Sequence, residues 1–224
     1  MLRDQAVVRL RVGDAELVAF FGMPVGANGI VAFAHGSGSS RLSARNQYVA
    51  SVLRDAGLGT LLLDLLTSAE EEIDARTGKL RFDIELLARR VVGAVDWLAQ
   101  DPEQAGHAIG LFGASTGAAA ALIAAAERPD AVRAVVSRGG RPDLAAEALA
   151  GVCAPTLLIV GGLDSHVIDL NRDAYAGLAG EKRIEIVPGA THLFEEPGTL
   201  EQVAKLARDW FVERLVAADG GAEA

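Results

Sequence analysis

The sequence predicts an α/β protein whose open, mostly parallel sheet lies between two helical layers. Three observations point there. Strand-like segments alternate with helix-like segments along nearly the whole chain. The internal strand segments are almost continuously apolar, which a sheet covered on both faces requires. The first two segments are joined through Gly13-Asp14, so an antiparallel hairpin precedes the alternating units.

The elements follow in order. Val7–Val12 and Leu17–Phe21 form the hairpin, and IVAFA (Ile30–Ala34) and LGTLLLDLL (Leu58–Leu66) read as the next strands. IGLFGAS (Ile109–Ser115), AVRAVVS (Ala131–Ser137), PTLLIVGG (Pro155–Gly162) and KRIEIVPG (Lys182–Gly189) complete the set. Between them, Tyr48, Val49, Val52, Leu53 and Ala56 recur at helical spacing. So do Ile84, Leu87, Val91, Val95 and Leu98, in a helix that ends near Asp101-Pro102. Residues Ala118–Ala126 are almost all alanine, a strong helix former slim enough to lie close to a sheet. A last helix runs from Thr199 to Val216, with Leu200, Val203, Leu206, Trp210 and Phe211 inward. The acidic stretch Ala69–Asp74 reads as a loop. One domain is expected over residues 1–217, with a flexible tail over 218–224.

Composition narrows the function. The 224 residues are 50% hydrophobic and 23% charged, which excludes disorder and coiled coil. With 21 Lys+Arg against 30 Asp+Glu, the net charge is −9, and no basic run exists for a phosphate backbone. Nucleic acid is excluded as a partner. No apolar run reaches the ~20 residues that span a bilayer, and the first residues carry charges throughout. The expected location is the cytoplasm, with no membrane partner, and the expected state is a monomer or homodimer. Cys153 is the one cysteine, so neither an internal disulfide nor a zinc site is expected; it reads as a buried or half-buried small residue.

Ligand chemistry in such sheets sits at the carboxyl ends of the strands. There the sequence reads Gly113-Ala114-Ser115-Thr116-Gly117, between an apolar strand and the alanine helix. This is a G-x-S-x-G turn in its required strand–turn–helix context, with Ser115 as nucleophile. A serine hydroxyl needs a base. His192, after the last strand, is the candidate, and His166 is the alternative. His35 ends a strand and is expected to shape its loop, while His107 precedes a strand and belongs to the opposite sheet edge. The base needs an orienting acid. Asp164 in Gly161-Gly162-Leu163-Asp164 fits, against a helix-capping role for it and against Asp169 as the alternative acid. The expected oxyanion donors are the backbone N–H of Thr116 and that of Ser37, with Gly36 or Gly38 as alternatives to Ser37.

These motifs resemble the α/β-hydrolase superfamily, and within it the small dienelactone-hydrolase-like branch. The residues that carry the resemblance are AHGSGSS, GASTG, SRGGRPDL, GGLD and PGATHLFEEPG. It implies an eight-stranded sheet with one antiparallel strand, no cofactor, and hydrolysis through an acyl-enzyme. Dienelactone hydrolases use a cysteine nucleophile, whereas position 115 is serine, which favours ordinary small carboxylic esters with lactones and thioesters left open. A non-catalytic ligand-binding relative and an amidase or peptidase are the rival readings. The segment Arg138–Ala154 is too short for a large cap domain. Arg41, Arg45, Arg138 and Arg141 lie near strand ends, and Arg138 leads them as a contact for an anionic substrate group, with Gly36, Gly38 and Arg41 beside it. The competing expectation is that they pair with Glu70, Glu71, Asp143 or Glu195.

Overall fold

A computed structural model describes residues 5–216. The first strands are β1 (Ala6–Val12), β2 (Ala15–Gly22) and β3 (Gly29–Ala34), followed by helix α1 (Ala44–Asp55). Strand β4 (Gly59–Leu63), α2 (Ser68–Thr77), α3 (Ile84–Gln100), β5 (Ala108–Ala114) and α4 (Thr116–Glu127) come next. Then follow β6 (Val132–Arg138), β7 (Thr156–Gly161), α5 (Ser165–Gly177), β8 (Lys182–Val187) and α6 (Thr199–Phe211).

The eight strands form one sheet in the order β1-β2-β4-β3-β5-β6-β7-β8. Strand β2 pairs antiparallel with both β1 and β4. From β4 to β8 every pair is parallel. Thus β2 alone runs against the rest, as the resemblance implied. Strands β3, β4 and β7 are buried along their whole length, which explains their unbroken apolar sequences.

Two cores flank the sheet. Leu87, Val91, Val95 and Leu98 of α3 and the alanines of α4 pack one face with Leu10, Leu61 and Leu111. Val49 and Leu53 of α1 pack the other with Val203, Trp210 and Phe211 of α6 and with Phe33 and Phe112. Fully burying each large apolar side chain contributes about 1.5–3 kcal/mol. Leu200 and Leu206, expected inward, are only partly buried, and Ala204 and Ala207 take the closest positions against the sheet. Small side chains bring α6 near the strands.

Two expectations need correction. The acidic stretch is not a loop but part of α2. Its start is fixed by a capping box: Thr67 Oγ1 accepts from the Glu70 amide, and Glu70 Oε2 accepts from the Thr67 amide. Ile73 is the only large apolar residue in that helix, so hydrophobic spacing gave no signal. Cys153 is exposed rather than buried. The connection after β6 is a kinked 3-10 segment over Pro142–Gly151, with no room for a cap domain. The expected tail at 218–224 lies outside the described residues. Among the described residues no helix is long and apolar enough to cross a membrane.

Candidate active site

Ser115 links β5 to α4 with φ 50° and ψ −123°. A non-glycine residue at positive φ costs on the order of 1–3 kcal/mol, and the surroundings hold it there. Its amide donates to Arg138 O at 3.3 Å, while its carbonyl accepts from the Ala118 and Arg141 amides at 3.0 and 3.1 Å. The flanking glycines are required by contact. A Cβ on Gly113 would lie 2.4 Å from Ala118 Cα, and one on Gly117 would lie 2.3 Å from Ala34 O.

His192 lies in the turn after β8, and Asp164 in the turn after β7. The His192 Nδ1–H donates to Asp164 Oδ2 at 2.7 Å. A carboxylate accepts only, so in the neutral imidazole this contact places the proton on Nδ1 and leaves Nε2 with its lone pair. Asp164 precedes α5 but its side chain makes no capping bond, so the carboxylate serves the imidazole and not the helix. Asp169 instead lies within α5, 3.4 Å from Arg172. His166 is exposed in the first turn of α5.

The end of β6 joins the two halves. Arg138 O holds the Ser115 amide, and a Cβ on the next residue, Gly139, would lie 3.1 Å from His192 O and 3.6 Å from His192 Nδ1. The His192 loop is tied by Glu196, whose carboxylate accepts from Thr191 Oγ1 at 2.6 Å and from the Thr191 amide at 3.1 Å. Those bonds, the hydroxyl first, hold the Glu196 carboxyl below its ordinary range. Sequence reasoning gave Glu196 no role; its place five residues after Thr191 carries no motif.

The loop after β3 covers the other side of Ser115. A Cβ on Gly36 would lie 2.9 Å from Ser115 Cβ. The Ser37 amide donates to Thr116 Oγ1 at 2.9 Å. His35 is buried, its Nδ1–H donating to Gly36 O at 2.9 Å and its Nε2 accepting from the Leu65 amide at 3.1 Å. Desolvation keeps its pKa below the ordinary 6.5. His107 lies just before β5, at the far edge, with Nδ1 against Gln104 O at 3.0 Å. Beside the Gly36 loop is a cavity of about 480 Å³, bounded by residues 35–40, Leu42, Ser43, Leu65, Leu66, Leu87 and the α2 side chains Glu71, Asp74 and Ala75, with Arg81.

Three of the four strand-end arginines have acidic partners. Arg45 pairs with Glu195 at 2.8 Å, Arg141 with Asp143 at 2.8 Å, and Arg41 with Asp64 through both backbone and side chain. Among the described residues Arg138 has no carboxylate partner. It is 6% exposed, donates to Asn46 Oδ1 at 3.3 Å and lies 5.8 Å from the centre of the Phe194 ring. Burial, and then the charge of Arg45, pull its pKa down to about 10. Among the described residues no group of three or more His, Cys, Asp or Glu side chains is placed to hold a metal ion.

The family model of the dienelactone hydrolase family matches residues 19–214. The crystal structure of a dienelactone hydrolase from Anabaena variabilis is 61% identical, covers 94% of this chain and 98% of its own, and has a TM-score of 0.93. Est1E from Butyrivibrio proteoclasticus, 15% identical with a TM-score of 0.75 over 92% of this chain and 98% of its own, shares the fold. Proteins of two Mycobacterium tuberculosis strains, provisionally named as phosphoribosyl transferases, are 57% identical over 214 residues. That match covers 96% of this chain but 47% of theirs, so the chain spans about half the length of these relatives. The chain belongs to the dienelactone hydrolase family.

Proposed function

We propose that the chain is a serine hydrolase that cleaves small carboxylic esters through an acyl-enzyme. The observation that carries this reading is one sheet edge bearing Ser115 in a strained turn and His192 bonded to Asp164. In the first step Ser115 Oγ attacks the ester carbonyl and its proton passes to His192 Nε2. Asp164 holds the imidazole and stabilises its charged form. The Thr116 amide, with the Ser37 side of the hole, receives the developing oxyanion. The carbonyl–oxygen bond then breaks, and His192 returns the proton to the leaving alcohol. Water repeats the sequence: it attacks the acyl carbonyl while His192 takes its proton, the carbonyl–Oγ bond breaks, and His192 returns the proton to Ser115 Oγ as the acid departs.

Arg138 enters this reading as a brace rather than a substrate contact. Its guanidinium is enclosed by Asn46 and Phe194, and Phe194 follows His192 by two residues at φ 56°. Gly36 and Gly38 border the cavity, while Arg41 is committed to Asp64. A transferase reading would need groups for a phosphoribosyl donor. The strand ends of this chain carry Ser115, His192 and Asp164 instead, which supports the hydrolase reading.

The test is turnover of a panel of short p-nitrophenyl esters by the protein and by Ser115→Ala. Loss of several orders of magnitude in the variant is expected, the scale of triad deletions. Equal turnover by both proteins rejects the reading. Covalent labelling of Ser115 by a fluorophosphonate separates a catalytic protein from a binding relative.

A further inference from the structure

Two exposed members of the acidic stretch on α2, Glu71 and Glu72, have no hydrogen bond or ion pair among the described residues, and only Glu71 borders the cavity. Glu70 caps its own helix and binds Arg90 at 2.6 Å. Asp74 is bound by Arg81 through its side chain at 2.6 Å and its amide at 3.1 Å. Glu72 does not line the cavity. Glu71 does line it, as an exposed side chain whose carboxylate has no hydrogen bond or ion pair among the described residues. Below it, Arg41 is taken by Asp64. The cavity's charged side chains are therefore one closed pair, Asp74 with Arg81, and one unpaired carboxylate.

Leu42, Leu65, Leu66 and Leu87 give the lining an apolar side, and Ser37, Ser39, Ser40 and Ser43 give it a polar one. A volume of about 480 Å³ suits a substrate arm. Position says which arm. In the sheet order β4-β3-β5-β6-β7-β8, the cavity lies by the β3 and β4 ends, while His192 and Asp164 follow β8 and β7. The leaving alcohol must face His192, which protonates it. The acyl chain then extends to the opposite side, past Gly36, into the cavity.

We propose that this cavity is an acyl-chain site selecting esters whose chain ends in a cationic group such as an ammonium, with Glu71 as the residue that reads the charge. The proposal rests on the serine-esterase reading above. The apolar walls take the methylene stem, and the terminal ammonium meets the unpaired carboxylate; a terminal carboxylate meets repulsion there. The local field agrees, since partial burial, then Asp64 and Asp74, oppose the charged form of Glu71, with Arg41 alone favouring it. An incoming cation would relieve that opposition.

The experiment compares three p-nitrophenyl esters of six-carbon acids, hexanoic, 6-aminohexanoic and adipic, with Ser115→Ala rates subtracted. The wild-type ratio of kcat/KM for the ammonium over the carboxylate ester should be about tenfold, from two opposed, partly screened charge contacts. In Glu71→Gln that ratio should collapse toward one, while Glu72→Gln, a change outside the cavity on the same helix, should keep it. A ratio near one or inverted, with Ser115-dependent hydrolysis of the hexanoate, overturns the charge selection and leaves the esterase reading intact. A high ratio that survives Glu71→Gln overturns the role of Glu71. If none of the three esters shows Ser115-dependent turnover, the esterase reading fails, and the acyl-site proposal fails with it.

Discussion

The Ser37 amide donates to the hydroxyl of Thr116, the residue after Ser115, at 2.9 Å. The bond stitches the loop after β3 to the first turn of α4. The amide has one hydrogen, and here it is directed at a neutral hydroxyl. A developing oxyanion is the stronger acceptor, since charge-assisted bonds are shorter and roughly twice as strong. Under the proposed mechanism, the hydroxyl holds the donor ready and yields it to the oxyanion. Thr116→Val keeps side-chain volume and the Thr116 amide but leaves the Ser37 amide facing a methyl group. We expect kcat to fall at least about tenfold, as for a weakened oxyanion donor, and Thr116→Ser to restore most of it. Wild-type kcat in Thr116→Val would show that the contact does not serve catalysis.

The strained backbone at Ser115 makes a separate prediction about stability. Glycine visits positive φ without a Cβ penalty. Ser115→Gly and Ser115→Ala should both be inactive. Yet the glycine variant should resist urea better than the alanine variant, by about 1 kcal/mol. Parallel urea titrations followed by far-UV circular dichroism make the comparison; equal midpoints would mean that the turn stores no strain.

Arg138 is buried without an acid, near the positive charge of Arg45. Uncompensated burial of charge is costly, and apolar side chains of similar volume often replace it without loss. Arg138→Met should therefore keep or raise the thermal midpoint. Without the guanidinium against Phe194, the His192 loop should be held less firmly, so kcat should fall several-fold with KM little changed. A rise in KM confined to anionic esters would identify Arg138 as a substrate contact instead.

His35 should make the protein acid-sensitive. Its burial lowers the folded-state pKa below 6.5, the value it regains on unfolding. Below 6.5 the unfolded chain binds a proton that the folded chain resists. The stabilising difference is complete above 6.5 and is lost as the pH falls below it. Urea midpoints measured from pH 7 to pH 5 should decline, and His35→Gln, an amide with a donor and an acceptor for the same two partners, should flatten that decline. An unchanged slope would remove His35 as the cause.

Much of the candidate site's edge was legible in the chain. Ser115, Asp164 and His192 each follow an apolar strand segment, and a short turn after a strand has only one sheet edge on which to lie. The helix over Ser68–Thr77 was not legible from hydrophobic spacing, since its acidic face meets solvent and Arg side chains rather than the core. Its signal was local instead, the Thr67–Glu70 capping box.

By itself, then, the sequence determined the alternating elements, the parallel sheet and the order of the three polar residues along one edge. Those properties depend on short-range polarity and on rules for connecting neighbouring strands. Only the tertiary structure decided charge pairing: Arg41 with Asp64, Arg45 with Glu195, Asp74 with Arg81, and Arg138 and Glu71 left without partners of opposite charge among the described residues. Long charged side chains reach partners far away in sequence, and which one each meets depends on how the layers pack.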